Sequence, residues 1–264
     1  MSSVPESAPE VLYEVSEHVA TITFACPERQ NTISAPMLDA LTAHLVEADE
    51  DPEVRAVIVT GSGRFFCAGL DLRRGLGIGG GGATTDLDLR NTPPTVLHAM
   101  DTPTIAALNG SAAGYGMDLA LGCDVRVMAR SAKLAAAFTA RGIVPESGGT
   151  WILPRLIGWA KASELIFTGK TLTAEQCLEE RLCNHVVDDE DCLKTAREIA
   201  LEIASRAPLA VQASKRMMRM GLNETFPDHV HHVFLQLLPL MRTKDFKEGM
   251  QAFMEKRPAE FEGK

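Results

Sequence analysis

Ten residues near the middle of the chain decide the fold: Asn109-Gly110-Ser111-Ala112-Ala113-Gly114-Tyr115-Gly116-Met117-Asp118. They follow the apolar run 104–108, so the chain leaves a buried strand, turns on small residues and enters a helix. If the helix begins near Gly114, the N–H of Tyr115 is a first-turn donor without an intrahelical acceptor, at the positive end of the helix dipole. The segment therefore predicts a backbone donor suited to an oxygen that gains negative charge.

A second segment of the same character lies about forty residues earlier: Phe65-Phe66-Cys67-Ala68-Gly69-Leu70-Asp71-Leu72. Leu70 offers the equivalent N–H after the small pair Ala68-Gly69. Because both donors are backbone groups, Leu and Tyr are acceptable at these positions, whereas Pro is not. Either segment alone would be interpreted as an ordinary glycine turn. Two such N–H groups converging on one point form an oxyanion hole.

Composition limits the class of protein. The 264 residues suit one large domain, or one domain with a helical appendage. The net charge of −9 argues against nucleic acid as a partner, and charge or Gly and Pro interrupt the apolar runs before they reach the length of a membrane span. Residues 1–10 are polar and acidic, which predicts a disordered tail rather than a secretory signal.

The cysteines indicate the compartment. They are scattered, with no C-x-x-C pair and no His at metal-ligand spacing, and are Cys26, Cys67, Cys123, Cys177, Cys183 and Cys192. Unpaired cysteines are typical of a reducing environment, so we expect a cytoplasmic protein.

The first two thirds of the chain predict an α/β core of stacked layers. Periodicity favours a strand pair in 12–24, strands at 54–60, 104–108 and 124–128, and helices at 35–49 and 114–122, with another helix ending near 95–100. Residues 75–82 contain six glycines in eight positions, which predicts a surface loop that could cover a site.

After about Leu153 the pattern becomes helical. Helices are predicted at 156–167, 174–180, 191–205, 208–220, 224–241 and 246–256, with one strand at 184–187. An apolar stripe runs along 222–241, which includes the predicted helix at 224–241, and consists of Leu222, Phe226, Val230, Val233, Phe234, Leu237, Leu238 and Met241. It either covers the chain's own core or is covered by a partner subunit. Periodicity alone leaves both open.

Taken together, the motifs resemble the enoyl-CoA hydratase/isomerase family, also called the crotonase family. The segments that carry the resemblance appear in family order and cover nearly the whole chain: 66–72, 109–116, 123–126, 142–150 and 253–257. The resemblance implies an α/β spiral of strand–strand–helix repeats over 11–200 and a helical trimerisation region over 201–264. It also implies a homo-oligomer, either a trimer or a hexamer of paired trimers.

The resemblance implies that the substrate is a coenzyme A thioester, with no permanently bound cofactor and no metal. Leu70 and Tyr115 match the two oxyanion-hole donors, and Gly69 and Gly114 precede them. Further positions match groups that border coenzyme A: Ala68, Asp71 and Leu72 near the adenine, Arg29 near the phosphates, and Phe253 and Lys256 at a subunit boundary. Arg73 and Arg74 are further basic candidates, although each cation taken alone could be solvated surface charge.

The proton-handling residues distinguish the reactions of the family. In its hydratases two carboxylates hold a water molecule; the first position is Asp118 here, and the second aligns with Phe138, which cannot move a proton. Glu146 matches a position at which a carboxylate carries the chemistry in several enoyl-CoA isomerases. A carboxylate facing both C2 and C4 can move a double bond, and an apolar wall that includes Phe138 would raise its pKa and exclude water.

Several interpretations stay open at this stage. Glu146 follows Pro145 in good turn chemistry and could be an exposed turn residue. The alternatives to an isomerase are a hydratase using Asp118 and Glu146 around a water, another enolate chemistry of the family, and a silent CoA-binding scaffold. In an isomerase, Asp118 is either a second acid or a group that caps or pairs within the core, and a supporting role is favoured.

Other polar residues receive structural interpretations. Asp124 is predicted to pair with an arginine such as Arg126 or Arg155. Cys67 lacks a His base, and the cluster His229, His231 and His232 does not place three ligands on one helix face.

Overall fold

The computed structural model describes residues 9–71 and 92–264, and its centre is a six-stranded sheet. In spatial order the strands are β1 (Val11–Ser16), β2 (Val19–Phe24), β3 (Ala56–Gly61), β5 (Thr104–Leu108), β7 (Val125–Ala129) and β10 (His185–Val187). β1 and β2 form an antiparallel hairpin, and the other neighbours are parallel. All five residues of β5 are buried, as expected of a strand covered on both faces.

A smaller sheet contains β4 (Phe65–Cys67), β6 (Ser111–Ala113), β8 (Lys133–Ala135) and β9 (Thr171–Thr173), in that spatial order. β3 leads to β4, β5 to β6 and β7 to β8, so each turn of the chain places one strand in the large sheet and the next in the small one. This is the predicted α/β spiral, and it brings equivalent turns of successive repeats side by side.

Ten helices lie along the described residues. They are α1 (Ala35–Glu50), α2 (Pro93–Ala99), α3 (Tyr115–Gly122), α4 (Gly149–Ile157), α5 (Trp159–Thr168), α6 (Ala174–Glu179), α7 (Cys192–Ala204), α8 (Pro208–Gly221), α9 (Phe226–Leu240) and α10 (Lys244–Glu255). On α7, Ala196, Ala200 and Ala204 are buried at four-residue spacing, so small side chains line the helix face that packs on the core.

The prediction for residues 153–187 is wrong in two places. The helix predicted at 156–167 is two helices: α4 begins at Gly149, and Gly158, with φ of 77°, separates it from α5. Sequence reasoning also missed β9, since a three-residue strand on a sheet edge has too few residues to show a period.

Charged groups connect the C-terminal region to the core. Arg216 and Arg219 of α8 both pair with Asp101, and Arg55 donates from Nη2 to the carbonyl oxygen of Phe261 at 2.8 Å. α9 has no buried residue, and its apolar stripe is exposed in the single chain, with Phe226 at 79% and Phe234 at 55%. The stripe therefore does not cover the chain's own core.

Candidate active site

The N–H of Leu70 is left unpaired by the geometry of a parallel bridge. Ile33 donates to the carbonyl of Gly69 at 2.8 Å, and Asp71 donates to the carbonyl of Ile33 at 2.9 Å. Because alternate groups of an extended chain point to opposite sides, this pairing turns the N–H of Leu70 away from Ile33. No acceptor for it lies among the residues that the structure describes.

The N–H of Tyr115 is free for a different reason. Tyr115 is the first residue of α3, so its N–H has no intrahelical acceptor. Gly114 precedes it with φ of 53°, and the N–H of Gly114 is used by the carbonyl of Ala135 at 3.0 Å. Within the described part of the chain, the N–H of Tyr115 has no partner.

The two donors lie in adjoining segments. Gly69 has φ of 104°, and a Cβ at this position would lie 3.0 Å from the carbonyl oxygen of Ala113 and 3.8 Å from the nitrogen of Tyr115. A residue with a side chain would therefore crowd the point where the segments meet. The fold thus places the two glycine turns side by side, and the formation of an oxyanion hole by their N–H groups stays a prediction.

A cavity of about 570 Å³ opens beside these donors. Its lining includes nine of the predicted site residues, namely Arg29, Ala68, Gly69, Leu70, Asp71, Gly114, Tyr115, Phe138 and Glu146. Sequence reasoning missed Glu28, Gln30, Thr32, Ala137, Arg141 and Ile143, which also line it. Arg141 and Ile143 lie between Phe138 and Glu146 in the sequence, and this position is the signal that could have identified them.

Glu146 lines the cavity and is open to it. Burial of the carboxyl against the protein raises its pKa above the ordinary value of a glutamate. Among the described residues no Lys or Arg lies within ion-pair distance of Glu146, whereas the other cavity carboxylates, Glu28 and Asp71, both contact Arg29. Glu146 is thus the cavity carboxylate that no cation of the described chain holds.

Asp118 is not part of the cavity wall. It is 2% exposed, and its Oδ2 accepts a hydrogen bond from the N–H of Gly149 at 3.2 Å. The pKa of Asp118 is raised to about 7, mainly by burial and also by the negative charge of Glu146, while the N–H groups of Gly149 and Ser147 lower it. Sequence reasoning grouped Asp118 with the residues of the reaction, but its side chain lies under the turn that carries Glu146.

Phe138 supplies an apolar wall. It is 1% exposed, and a Cβ on Gly114 would lie 3.9 Å from its Cε1, which places the ring beside the turn before Tyr115. The position that the resemblance assigns to a second hydratase carboxylate therefore presents a hydrocarbon surface near the donors.

Arg29 is engaged by carboxylates of its own chain. Its Nη2 donates to Glu10 at 2.6 Å and its Nη1 to Asp71 at 3.3 Å. Arg29 and Asp71 therefore form one charged unit at the cavity edge rather than two separate groups. Arg141 also lines the cavity, and its Nη1 donates to the carbonyl of Ala137 at 2.6 Å; no carboxylate of the described residues pairs with it.

The remaining predicted positions lie elsewhere. Phe253, 80% exposed, and Lys256, just after α10, do not line the cavity of their own chain. Leu72, Arg73, Arg74 and the glycine-rich segment 75–82 lie outside the described residues.

The predicted partner of Asp124 is wrong. Its Oδ2 pairs with Lys215 Nζ at 2.7 Å, whereas Arg126 donates to the backbone carbonyls of Leu182 and Cys123. Lys215 lies 91 positions away on α8, so no local pattern could identify it.

Cys67 and the histidines of α9 have contacts that need no catalytic role. Cys67 is buried beside the oxyanion segment, and burial raises the pKa of its thiol to about 12, which opposes a thiolate nucleophile. His229 and His232 both contact the carboxylate of Glu224.

Across 9–71 and 92–264, no group of three or more His, Cys, Asp or Glu residues is placed to hold a metal, and no helix has the length and apolar character to span a bilayer.

The double-layered spiral and its cavity define an enzyme of the crotonase fold. The family model for enoyl-CoA hydratase/isomerase matches residues 14–264. The chain is 36% identical to the 1,2-epoxyphenylacetyl-CoA isomerase of Escherichia coli, across 96% of this chain and 98% of that protein. It is 35% identical to the (E)-benzylidenesuccinyl-CoA hydratase of Thauera aromatica, across 96% and 99%. The solved enoyl-CoA hydratase of Bacillus anthracis superposes with a TM-score of 0.88 at 34% identity, covering 97% of this chain and 100% of that one.

This protein belongs to the enoyl-CoA hydratase/isomerase family. Enzymes of that family act on CoA thioesters, which agrees with the predicted class of substrate. The relatives include both isomerases and hydratases, so membership alone does not choose between the two reactions.

Proposed function

We propose that this enzyme moves the double bond of a 3-enoyl-CoA to the 2-position, with Glu146 as the proton carrier. The observation that carries the proposal is the cavity wall beside the two free N–H groups. Its lining includes one carboxylate that no cation of the described residues pairs with, Glu146, and the apolar ring of Phe138, while Asp118 is buried outside the wall. A hydratase of this family uses two carboxylates around a water, and only one is available here.

The reaction follows from these groups. The thioester oxygen accepts hydrogen bonds from the N–H groups of Leu70 and Tyr115. Glu146 removes a proton from C2; the electron pair forms the enolate, whose oxygen the two donors stabilise. The protonated Glu146 then returns a proton at C4, the double bond forms between C2 and C3, and the carboxylate is regenerated. No atom is gained or lost, and exclusion of water by Phe138 favours this outcome over hydration.

The CoA moiety would lie along Ala68 and the Arg29–Asp71 pair, with Arg141 as a cation that no carboxylate of the described chain neutralises. Since CoA carries phosphates, a guanidinium in the cavity without a carboxylate partner among the described residues supports this orientation.

We further propose a homo-oligomer, a trimer or a pair of trimers. The uncovered stripe of α9 supports assembly, and exposed Phe253 and Lys256 could then reach the CoA of a neighbouring subunit. The six buried, unpaired cysteines favour a reducing compartment such as the cytoplasm.

The test compares wild type with Glu146→Gln on 3-enoyl-CoA and on 2-enoyl-CoA, followed by mass and absorbance. We expect wild type to convert the 3-enoyl substrate without a change of mass, and Glu146→Gln to lose kcat by roughly 10²-fold or more. Gln keeps the size of the side chain and cannot carry the proton. A product one water heavier from 2-enoyl-CoA, formed faster than isomerisation, would instead establish a hydratase and refute the proposal.

A further inference from the structure

The buried carboxyl of Asp118 joins two helices at the active site. Asp118 lies in the first turn of α3, the helix whose first N–H belongs to Tyr115. Its Oδ2 accepts the N–H of Gly149, which is the first residue of α4. The first N–H groups of a helix have no acceptor within that helix, so Asp118 satisfies one of them from outside.

The contact is close on both sides. A Cβ on Gly149 would lie 2.2 Å from Oδ1 of Asp118 and 2.7 Å from its Cγ, so only glycine allows α4 to begin against this carboxyl. Oδ1 itself has no hydrogen-bond partner among the described residues and is fully enclosed. The carboxyl therefore fixes the position of Gly149 by one hydrogen bond and by steric contact.

Glu146 is held between this contact and a buried proline. Pro145 immediately before it is buried and has a fixed φ, while Gly148, with φ of 91°, turns the chain into α4. Glu146 stands three residues before Gly149, so a shift of Gly149 would move its carboxylate relative to the N–H of Tyr115.

We propose that Asp118 is a positioning residue, which fixes the turn carrying Glu146 relative to the oxyanion donors through its hydrogen bond to Gly149. This inference rests on the proposed role of Glu146. Asp118 does not touch the substrate; it connects the element that binds the enolate oxygen to the element that moves the proton.

The test measures kcat and KM for 3-enoyl-CoA isomerisation in Asp118→Ala, Asp118→Asn, Glu146→Gln and a control. Asp118→Ala removes the acceptor, and we expect kcat to fall roughly 10- to 100-fold with KM changed less than about threefold, since misplacement of a proton carrier affects the chemical step. Asp118→Asn keeps an oxygen for the N–H of Gly149, so it should restore most of the lost kcat.

The control is Asp49→Ala. The Oδ1 of Asp49 also accepts backbone N–H groups from another segment, those of Asp101 and Thr102 at 3.1 and 2.9 Å, but none of these residues lines the cavity. Its loss should lower thermal stability and leave kcat unchanged.

The outcomes separate this inference from the proposed function. Wild-type kcat in Asp118→Ala, with Glu146→Gln inactive, would overturn the positioning role and leave Glu146 as the proton carrier. Equal losses in Asp118→Ala and Asp118→Asn would also overturn it, because an ionisable group rather than a hydrogen bond would then be needed. Activity retained in Glu146→Gln would refute the function itself.

If Asp118→Ala does not fold, Gly149→Ala tests the same contact without removing the carboxyl. Its Cβ would collide with Oδ1 and displace the start of α4. We expect a similar loss of kcat at nearly unchanged KM, and a normal kcat in this variant would contradict the inference.

Discussion

A methyl group on Gly116 would lie 2.2 Å from the carbonyl oxygen of Cys67 and 2.8 Å from its Cβ. Gly116 is the second residue of α3, and Cys67 ends β4, three residues before Leu70. This contact packs the start of α3, with the N–H of Tyr115, against the end of β4, which leads to Leu70, and it is possible only because Gly116 has no side chain.

We therefore expect Gly116→Ala to impair both folding and catalysis. Relief of a contact this short requires a shift of α3, with a loss of about 1–3 kcal/mol in the free energy of unfolding. Displacement of one oxyanion donor should lower kcat by roughly 10²-fold. Denaturant unfolding and steady-state kinetics measure the two effects.

Gly122→Ala is the matched control at the other end of α3. A Cβ there meets only the flexible side chain of Leu97, at 3.4 Å. We expect wild-type kcat, and stability equal to or slightly above wild type, since Ala is the better helix former. Equal damage in both variants would mean that α3 tolerates no added side chain at all and would remove the special role of the Cys67 contact.

The pH dependence of stability should report Asp118. Its pKa in the folded chain is raised from 3.8 to about 7, so the folded state retains a proton that the unfolded state has released. Between about pH 4 and 7 the free energy of unfolding attributable to this group therefore falls as pH rises, by about 1.4 kcal/mol per pH unit. The contribution of Asp118 to the free energy of unfolding is fully present below the unfolded pKa and no longer changes with pH above about 7.

Asp118→Asn removes this dependence because an amide does not titrate. The stability of the variant relative to wild type should increase from pH 4 to pH 8, as measured by urea unfolding at several pH values. A constant difference in stability between the variant and wild type across that range would show that the pKa of Asp118 is not raised in the folded chain.

Arg141 should contribute to binding of the anionic substrate. We expect Arg141→Ala to raise KM by roughly fivefold at low salt with little change in kcat, corresponding to about 1 kcal/mol for an exposed charge pair. The effect should shrink as ionic strength rises. Arg155→Ala is the control, because Arg155 stacks on Trp151 outside the cavity. Equal changes in the two variants would exclude a specific role for Arg141.

The exposed stripe of α9 should control assembly. Phe234→Glu places a charge within the stripe, and we expect a shift to smaller species in sedimentation or light scattering, since burial of an unpaired charge is unfavourable. Glu198→Ala on α7 serves as a surface control that should keep the native mass. A monomeric wild type, or an unchanged mass for Phe234→Glu, would contradict the assembly proposal.

Local sequence determined the two glycine turns. The small residues Ala68, Gly69, Ala113 and Gly114 follow apolar strands, and Gly114 allows the backbone conformation from which the helix starts at Tyr115. The N–H of Leu70 is left unpaired by the bridge to Ile33, which only the folded chain supplies. The alternation of strands and helices predicted an α/β core of stacked layers, whereas the spiral was predicted from the family resemblance. Phe138 and Glu146 were identified by resemblance, and the fold places both on the cavity wall.

Tertiary structure alone decided where the other charged side chains point. Asp118 and Glu146 are both acidic residues near glycines, yet one is buried beneath Gly149 and the other faces the cavity, because the first turn of α3 packs against the start of α4. Asp124 pairs with Lys215, since α8 returns across the end of β5 only in the folded chain. Partners far apart in sequence leave no periodic signal, so their pairing depends on how distant elements pack.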